Sequence, residues 1–83
     1  MDIKILGTGC SSCKALYEVV KQAVQEEAIE ASVIKEEDLM KIMEYNVMSL
    51  PALVINEKVV SAGKKLTVGQ VKELINKQYL DNE

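Results

Sequence analysis

Apolar residues along this chain fall into short continuous runs and helical stripes, separated by polar punctuation. Ile3 to Leu6 is an apolar run closed by Gly7-Thr8-Gly9, which predicts a strand running into a turn. From Cys10 onward, Cys13, Leu16, Tyr17, Val20 and Val24 recur at helical spacing, and Lys14, Glu18, Lys21 and Gln25 take the opposite side. That is the stripe of a helix with one buried face. Ile29 to Lys35, with Val33-Ile34 inside it, suits a second strand. Strand, helix and strand this close together make a βαβ unit with parallel strands and a right-handed crossover.

Asp38 caps a short second helix whose Leu39, Ile42 and Met43 are expected to face inward, and Asn46 is a left-handed stop. Ala52 to Ile55 reads as a third strand. Asn56-Glu57 is a two-residue hairpin turn into Lys58 to Ala62, although Glu suits its second position less well than Gly. Gly63 breaks that strand. Thr67 and Gln70 form a capping box for a last helix with Val68, Val71, Leu74, Ile75 and Tyr79 as its stripe. The expected order is βαβαββα: an α/β fold with a four-stranded mixed sheet and three flanking helices.

Composition narrows the role of this fold. With 83 residues, of which 48% are hydrophobic and 28% charged, the chain is expected to form a single domain over residues 1–83. No apolar run approaches the roughly 18 residues of a spanning helix, so no membrane association is expected. The 10 basic residues are all Lys, against 13 Asp plus Glu, for a net charge of −3. A nucleic-acid binder would show a basic excess and Arg donors, so nucleic acid is not an expected partner. The start, Met1-Asp2-Ile3-Lys4-Ile5-Leu6, lacks the basic and apolar regions of a secretory signal, and the expected location is cytoplasmic.

The absence of His removes the Ser–His and Cys–His nucleophile pairs and any imidazole ligand. Candidate chemistry then rests on the two cysteines, Cys10 and Cys13, with Ser11 and Ser12 between them. A C-x-x-C pair in a reducing compartment points to redox or metal chemistry rather than a structural staple, and its loop is too short to stabilise much. Position favours redox. A thiolate of Cys10 at a helix start faces the N–H groups of Ser12, Cys13 and Lys14, which have no intrahelical partners and carry part of the positive end of the helix dipole. Such surroundings lower a thiol pKa from about 8.5 into the range of roughly 3.5–7.5. Cys10 is then the attacking thiol. Cys13, one turn later on the inward face, resolves the mixed disulfide.

The segments Gly7-Thr8-Gly9-Cys10-Ser11-Ser12-Cys13-Lys14 and Ser49-Leu50-Pro51-Ala52-Leu53-Val54-Ile55 resemble those of the thioredoxin-like superfamily, and in particular its small redox-active disulfide protein 2 group. The resemblance spans the whole chain. It implies that Pro51 is a cis proline packed across from Cys10 and Cys13, with the Leu50 backbone beside the thiols to pair with an extended substrate. It also implies a thiol–disulfide oxidoreductase acting on protein disulfides, recharged by a thioredoxin-reductase-like electron donor. The expected protein is a monomer with no metal and no cofactor beyond its redox-active disulfide. Some residues depart from the family pattern. Gly9 stands where thioredoxins carry Trp, and Ser11-Ser12 stand in place of Gly-Pro. Lys4 occupies the position of their buried aspartate. Ala62-Gly63-Lys64-Lys65 lacks the acidic residue with which glutaredoxins hold glutathione.

A second function draws on the same two thiolates. Gly7-Thr8-Gly9-Cys10 with Cys13 partly resembles the loop of heavy-metal-associated domains, and two thiolates suit linear Cu(I). Those domains run βαββαβ and carry a Met before the first cysteine. The Met40, Met43 and Met48 group reads as packing.

Overall fold

The computed structural model of the protein describes residues 1–9 and 11–81, so Cys10 and the side chain of Tyr79 lie outside what is described below. Seven elements follow the expected order. They are β1 (Asp2–Leu6), α1 (Ser11–Glu26), β2 (Ser32–Glu36), α2 (Leu39–Met43), β3 (Ala52–Ile55), β4 (Lys58–Ala62) and α3 (Val68–Asp81). The sheet order is β2-β1-β3-β4. β1 and β2 are parallel, as a βαβ crossover requires, whereas β1–β3 and β3–β4 are antiparallel. The result is an α/β fold with a mixed four-stranded sheet.

The alternation of side chains along β1 and β3 divides the core into two layers. Ile3, Ile5, Leu53 and Ile55 point to one face, where Leu16, Val20 and Ala23 of α1 and Val71 and Ile75 of α3 cover them. Leu6, Ala52 and Val54 point to the other and meet Ile42 of α2. Full burial of each Val, Leu or Ile stabilises by roughly 1.5–3 kcal/mol. The absence of Phe and Trp is met by packing many branched aliphatics around β3, which is buried along its whole length.

Two inward assignments are overturned at α2. Leu39 is 56% exposed and Met43 is 62% exposed, and only Ile42 enters the core. A five-residue helix of little more than one turn presents too narrow a face to bury three residues. On α1, Tyr17 and Val24 lie at the edge of the core and Ala23 takes a fully buried place. Strand β2 starts at Ser32, later than the apolar run suggests.

The local signals behave as their chemistry requires. The Asp38 carboxylate accepts from the Met40 N–H at 3.0 Å. The Gln70 N–H donates to Thr67 Oγ1 at 3.2 Å while the Thr67 N–H donates to Gln70 Oε1 at 2.9 Å, which completes the capping box. Asn46 is left-handed at φ 58°. The hairpin residues Asn56 and Glu57 have φ of 51° and 67°, the pattern of a type I′ turn. Side-chain bonds hold it: the Asp2 N–H donates to Asn56 Oδ1 at 3.0 Å, Glu57 pairs with Lys4 Nζ at 3.0 Å, and the Tyr45 hydroxyl donates to Glu57 at 2.9 Å.

Candidate functional site at the start of the first helix

At the carboxyl end of β1 the chain leaves the sheet through residues 7–9 and enters α1 at Ser11. Cys13 lies in the first turn of α1 on its buried face and is 3% exposed. The backbone of Gly7 passes directly beneath it. A side chain at position 7 would overlap the Cys13 sulfur, so close approach, rather than turn geometry, makes glycine necessary there. The Gly7 N–H donates to the Glu36 carbonyl at 3.0 Å and fixes this crossing. Gly9, at φ 85°, supplies the left-handed step into the helix. Ser11, Ser12 and Lys14 are exposed on the outer side of the first turn.

From the other side comes the segment before β3. The Leu50–Pro51 peptide bond is cis, Pro51 is buried, and Leu50 is 37% exposed. The Pro51 carbonyl accepts from the Gly63 N–H at 2.8 Å, and Gly63 has a φ of 70°. A β-carbon on Gly63 would stand 2.6 Å from that of Ser49. The end of β4 is therefore locked onto the turn that presents the cis bond. In the sequence Gly63 reads locally as a strand break. Its partner Ser49 is far away in sequence, and no local pattern announces the contact.

Between these parts lies a groove of about 430 Å³. Ser11, Ser12, Ala15, Leu16 and Val19 of α1 form one wall, Leu50 and Pro51 the floor, and Gly63 to Leu66 the other wall. Of the predicted site residues, Ser12, Leu50 and Pro51 thus share one concave surface, with Cys13 on the buried side of the same helical turn. Lys14 is not among the lining residues. Ala15, Val19 and Leu66 join the site without having been singled out by sequence. The first two lie on the helix side next to the core stripe and offered no chemical signal.

Lys4 stands on the face of the sheet opposite α1 and α3, alongside Leu6 and Val54. Its ammonium donates to the Tyr45 hydroxyl and to Glu57, each at 3.0 Å. These two bonds, Tyr45 first, hold Lys4 above the usual lysine range, and the Lys4 bond with that of Tyr45 holds the Glu57 carboxyl below its usual value of 4.5. The hairpin continues the end of β3 that pairs with Ile3, so the ammonium reaches away from the end of β1 that carries the groove.

A family model described as a thioredoxin domain matches residues 1–76. A thioredoxin of Methanocaldococcus jannaschii is 38% identical over 81 residues, covering 98% of this chain and 92% of that protein. A thioredoxin of Methanothermobacter thermautotrophicus is 29% identical over 76 residues, covering 92% of this chain and 99% of the other. The solved structure of thioredoxin 1 from Thermosipho africanus superposes over the full length of both chains with a TM-score of 0.67 at 20% identity, a likeness of fold. Among the described residues, no helix is long and apolar enough to cross a membrane.

Proposed function

Because this chain belongs to the thioredoxin family of thiol–disulfide oxidoreductases, we propose that it reduces protein disulfides through Cys10 and Cys13. The observation that supports this most is the shared groove, in which the residues between the two cysteines face a cis Leu50–Pro51 bond. An extended substrate lying there pairs with the Leu50 backbone and brings its disulfide to Cys10. The Cys10 thiolate, stabilised by the helix N–H groups of Ser12, Cys13 and Lys14, attacks one substrate sulfur. A mixed disulfide forms as the other substrate sulfur leaves as a thiolate. Cys13 loses its proton and attacks the Cys10 sulfur, which forms the internal disulfide and releases the second substrate thiolate. Two electrons pass from the dithiol to the substrate, and both substrate sulfurs end as thiols.

The electrons reside on sulfur, so the cycle needs no further cofactor; a thioredoxin-reductase-like donor of two electrons returns the disulfide to the dithiol. The proposed setting is a monomer in the cytoplasm, where such reducing partners are found. The order of elements differs from the βαββαβ order of the heavy-metal carriers, which weakens the Cu(I) reading of the same two cysteines. Turnover on a model protein disulfide tests the assignment. Cys10→Ser is expected to fall to the uncatalysed rate, and Cys13→Ser to accumulate the mixed disulfide. Equal turnover by wild type and Cys10→Ser would remove the proposed role.

A further inference from the structure

The wall of the groove opposite α1 carries a charge that the exchange chemistry does not use. Lys64 and Lys65 both line it, both are exposed, and among the described residues neither is ion-paired with a carboxylate. Among the described residues, no Asp or Glu lines the groove. A chain of net charge −3 thus presents a local positive edge at its groove. That edge is fixed relative to the floor, because the N–H of Gly63, immediately before the two lysines, donates to the Pro51 carbonyl at 2.8 Å. Charge on this wall acts on whatever lies along Leu50 and Pro51.

We propose that Lys64 and Lys65 make the groove selective for protein disulfides whose cysteine is flanked by acidic side chains. This rests on the exchange reading above and specifies its substrate class. The floor and the α1 wall, built from Leu50, Pro51, Leu16 and Val19, accept any apolar backbone-paired segment and discriminate little. The lysines discriminate by sign. Attraction across an exposed pair is modest, roughly two- to fivefold per lysine, and the two together give about tenfold at low salt. Overall negative charge opposes long-range attraction of acidic partners, so the preference acts at close range and fades when the screening length drops to about 3 Å at 1 M salt.

The test compares disulfide-bonded peptides that differ only in carrying Glu or Lys on both sides of the cysteine. Exchange rates are measured with wild type, with Lys64→Gln/Lys65→Gln and with Lys64→Glu/Lys65→Glu. Wild type is expected to favour the Glu peptide about tenfold at low salt and only slightly at about 1 M. The neutral variant should bring the ratio near one, and the charge-reversed variant should invert it, an outcome that misfolding cannot produce. A ratio that none of the substitutions changes would overturn the proposal while leaving the exchange reading intact. So would glutathione disulfide exchanging as fast as the Glu peptide, since the selected occupant would then be a small thiol. A redox-inert Glu peptide, with serine in place of cysteine, separates the two readings. Its titration should shift the Leu50 and Lys64 amide resonances of wild type and much less those of Lys64→Glu/Lys65→Glu; that pattern with no peptide exchanging would sink the redox role and keep the charge selectivity. No shift by this peptide at any accessible concentration would count against the lysine wall.

Discussion

Replacing Gly7, Gly9 and Gly63 by alanine, one at a time, separates two physical costs that meet at the candidate site. An alanine at position 9 meets nothing within 4 Å among the described residues but must hold a φ near +85°. A left-handed L-residue costs roughly 1–2 kcal/mol, and the narrower unfolded ensemble of alanine offsets about 0.4–1 kcal/mol. The net loss is about 1 kcal/mol. At position 7 the backbone is not left-handed, and the whole cost is overlap with the sulfur of Cys13, whose β-carbon lies 3.0 Å from the added methyl. Overpacking of that kind costs about 1–3 kcal/mol. Position 63 carries both penalties, a φ of +70° and an approach of 2.6 Å to the Ser49 β-carbon, for a total near 2–4 kcal/mol. A urea slope of about 1 kcal/mol/M for a domain this small converts these losses to midpoint shifts of roughly 1, 1–3 and 2–4 M. The Cys13 β-carbon resonance, compared at matched redox state, should move in Gly7→Ala and stay in place in Gly63→Ala. If Gly63→Ala loses no more than Gly9→Ala, the Ser49 contact has no energetic weight. If Gly7→Ala leaves the Cys13 resonance and the midpoint unchanged, the packing of backbone on sulfur is wrong.

Further outcomes follow from the core and the surface charges. Ile5→Ala should cost about 2–5 kcal/mol in urea titration because Ile5 is 1% exposed, whereas Met43→Ala should stay within about 0.5 kcal/mol of wild type. A large loss at Met43 would restore the inward assignment that its exposure contradicts. Ala28 holds φ 53° just past α1, where its N–H donates to the Gln25 carbonyl and that of Ile29 to the Val24 carbonyl. This is a Schellman closure without glycine, so Ala28→Gly should be neutral to slightly stabilising, by up to about 1 kcal/mol; a clear loss of thermal midpoint would contradict it. The Glu26 and Glu57 carboxyls are held below 4.5 by Lys72 and Lys4, so their stabilisation is complete above 4.5 and disappears as pH falls through their lower folded values. Glu26→Gln/Glu57→Gln should therefore flatten the acid side of the stability profile below pH 4.5, and an unchanged slope would show that these pairs contribute nothing.

The sequence carried the order of elements because each strand and helix states its own period. β1, β3 and the stripes of α1 and α3 depend on local spacing that no distant residue needs to confirm. Caps were legible for the same reason: Asp38, Thr67 with Gln70, and Asn46 act on backbone two or three residues away. The failures are of two kinds. Leu39 and Met43 are apolar at helical spacing, but burial depends on how much sheet remains for a helix of one turn to cover, which is a tertiary quantity. Ala28 adopts a glycine-like φ because two helix-end hydrogen bonds outweigh its intrinsic preference. At the site, the resemblance pointed to the cis bond at Pro51, yet the surrounding packing runs through glycine backbone. Gly7 under Cys13 and Gly63 against Ser49 leave no periodic trace, and Ala15 and Val19 look like ordinary helix residues until the groove beside them is seen.

Lys4 shows how a position can keep its place in a strand while changing its task. In thioredoxins the corresponding residue is a buried acid, and a cation there invites the idea of a proton or charge relay to Cys13. The geometry opposes it, since the ammonium is committed to Tyr45 and Glu57 at the hairpin end of the sheet. Glu57 holds a φ of 67° without glycine while paired with this cation and with the Tyr45 hydroxyl. Removing the cation by Lys4→Met should therefore lower the urea midpoint and loosen the Asn56–Glu57 turn. It should leave the midpoint of the pH–rate profile for disulfide exchange where it is in wild type. For scale, a bare unit charge about 10 Å from any thiolate, at an effective dielectric constant of about 20, interacts by about 1.7 kcal/mol, more than one pKa unit. A profile shifted by a unit or more in Lys4→Met would mean that the sulfur senses this cation. The lysine would then belong to the site, and its pairing with the hairpin would be incidental.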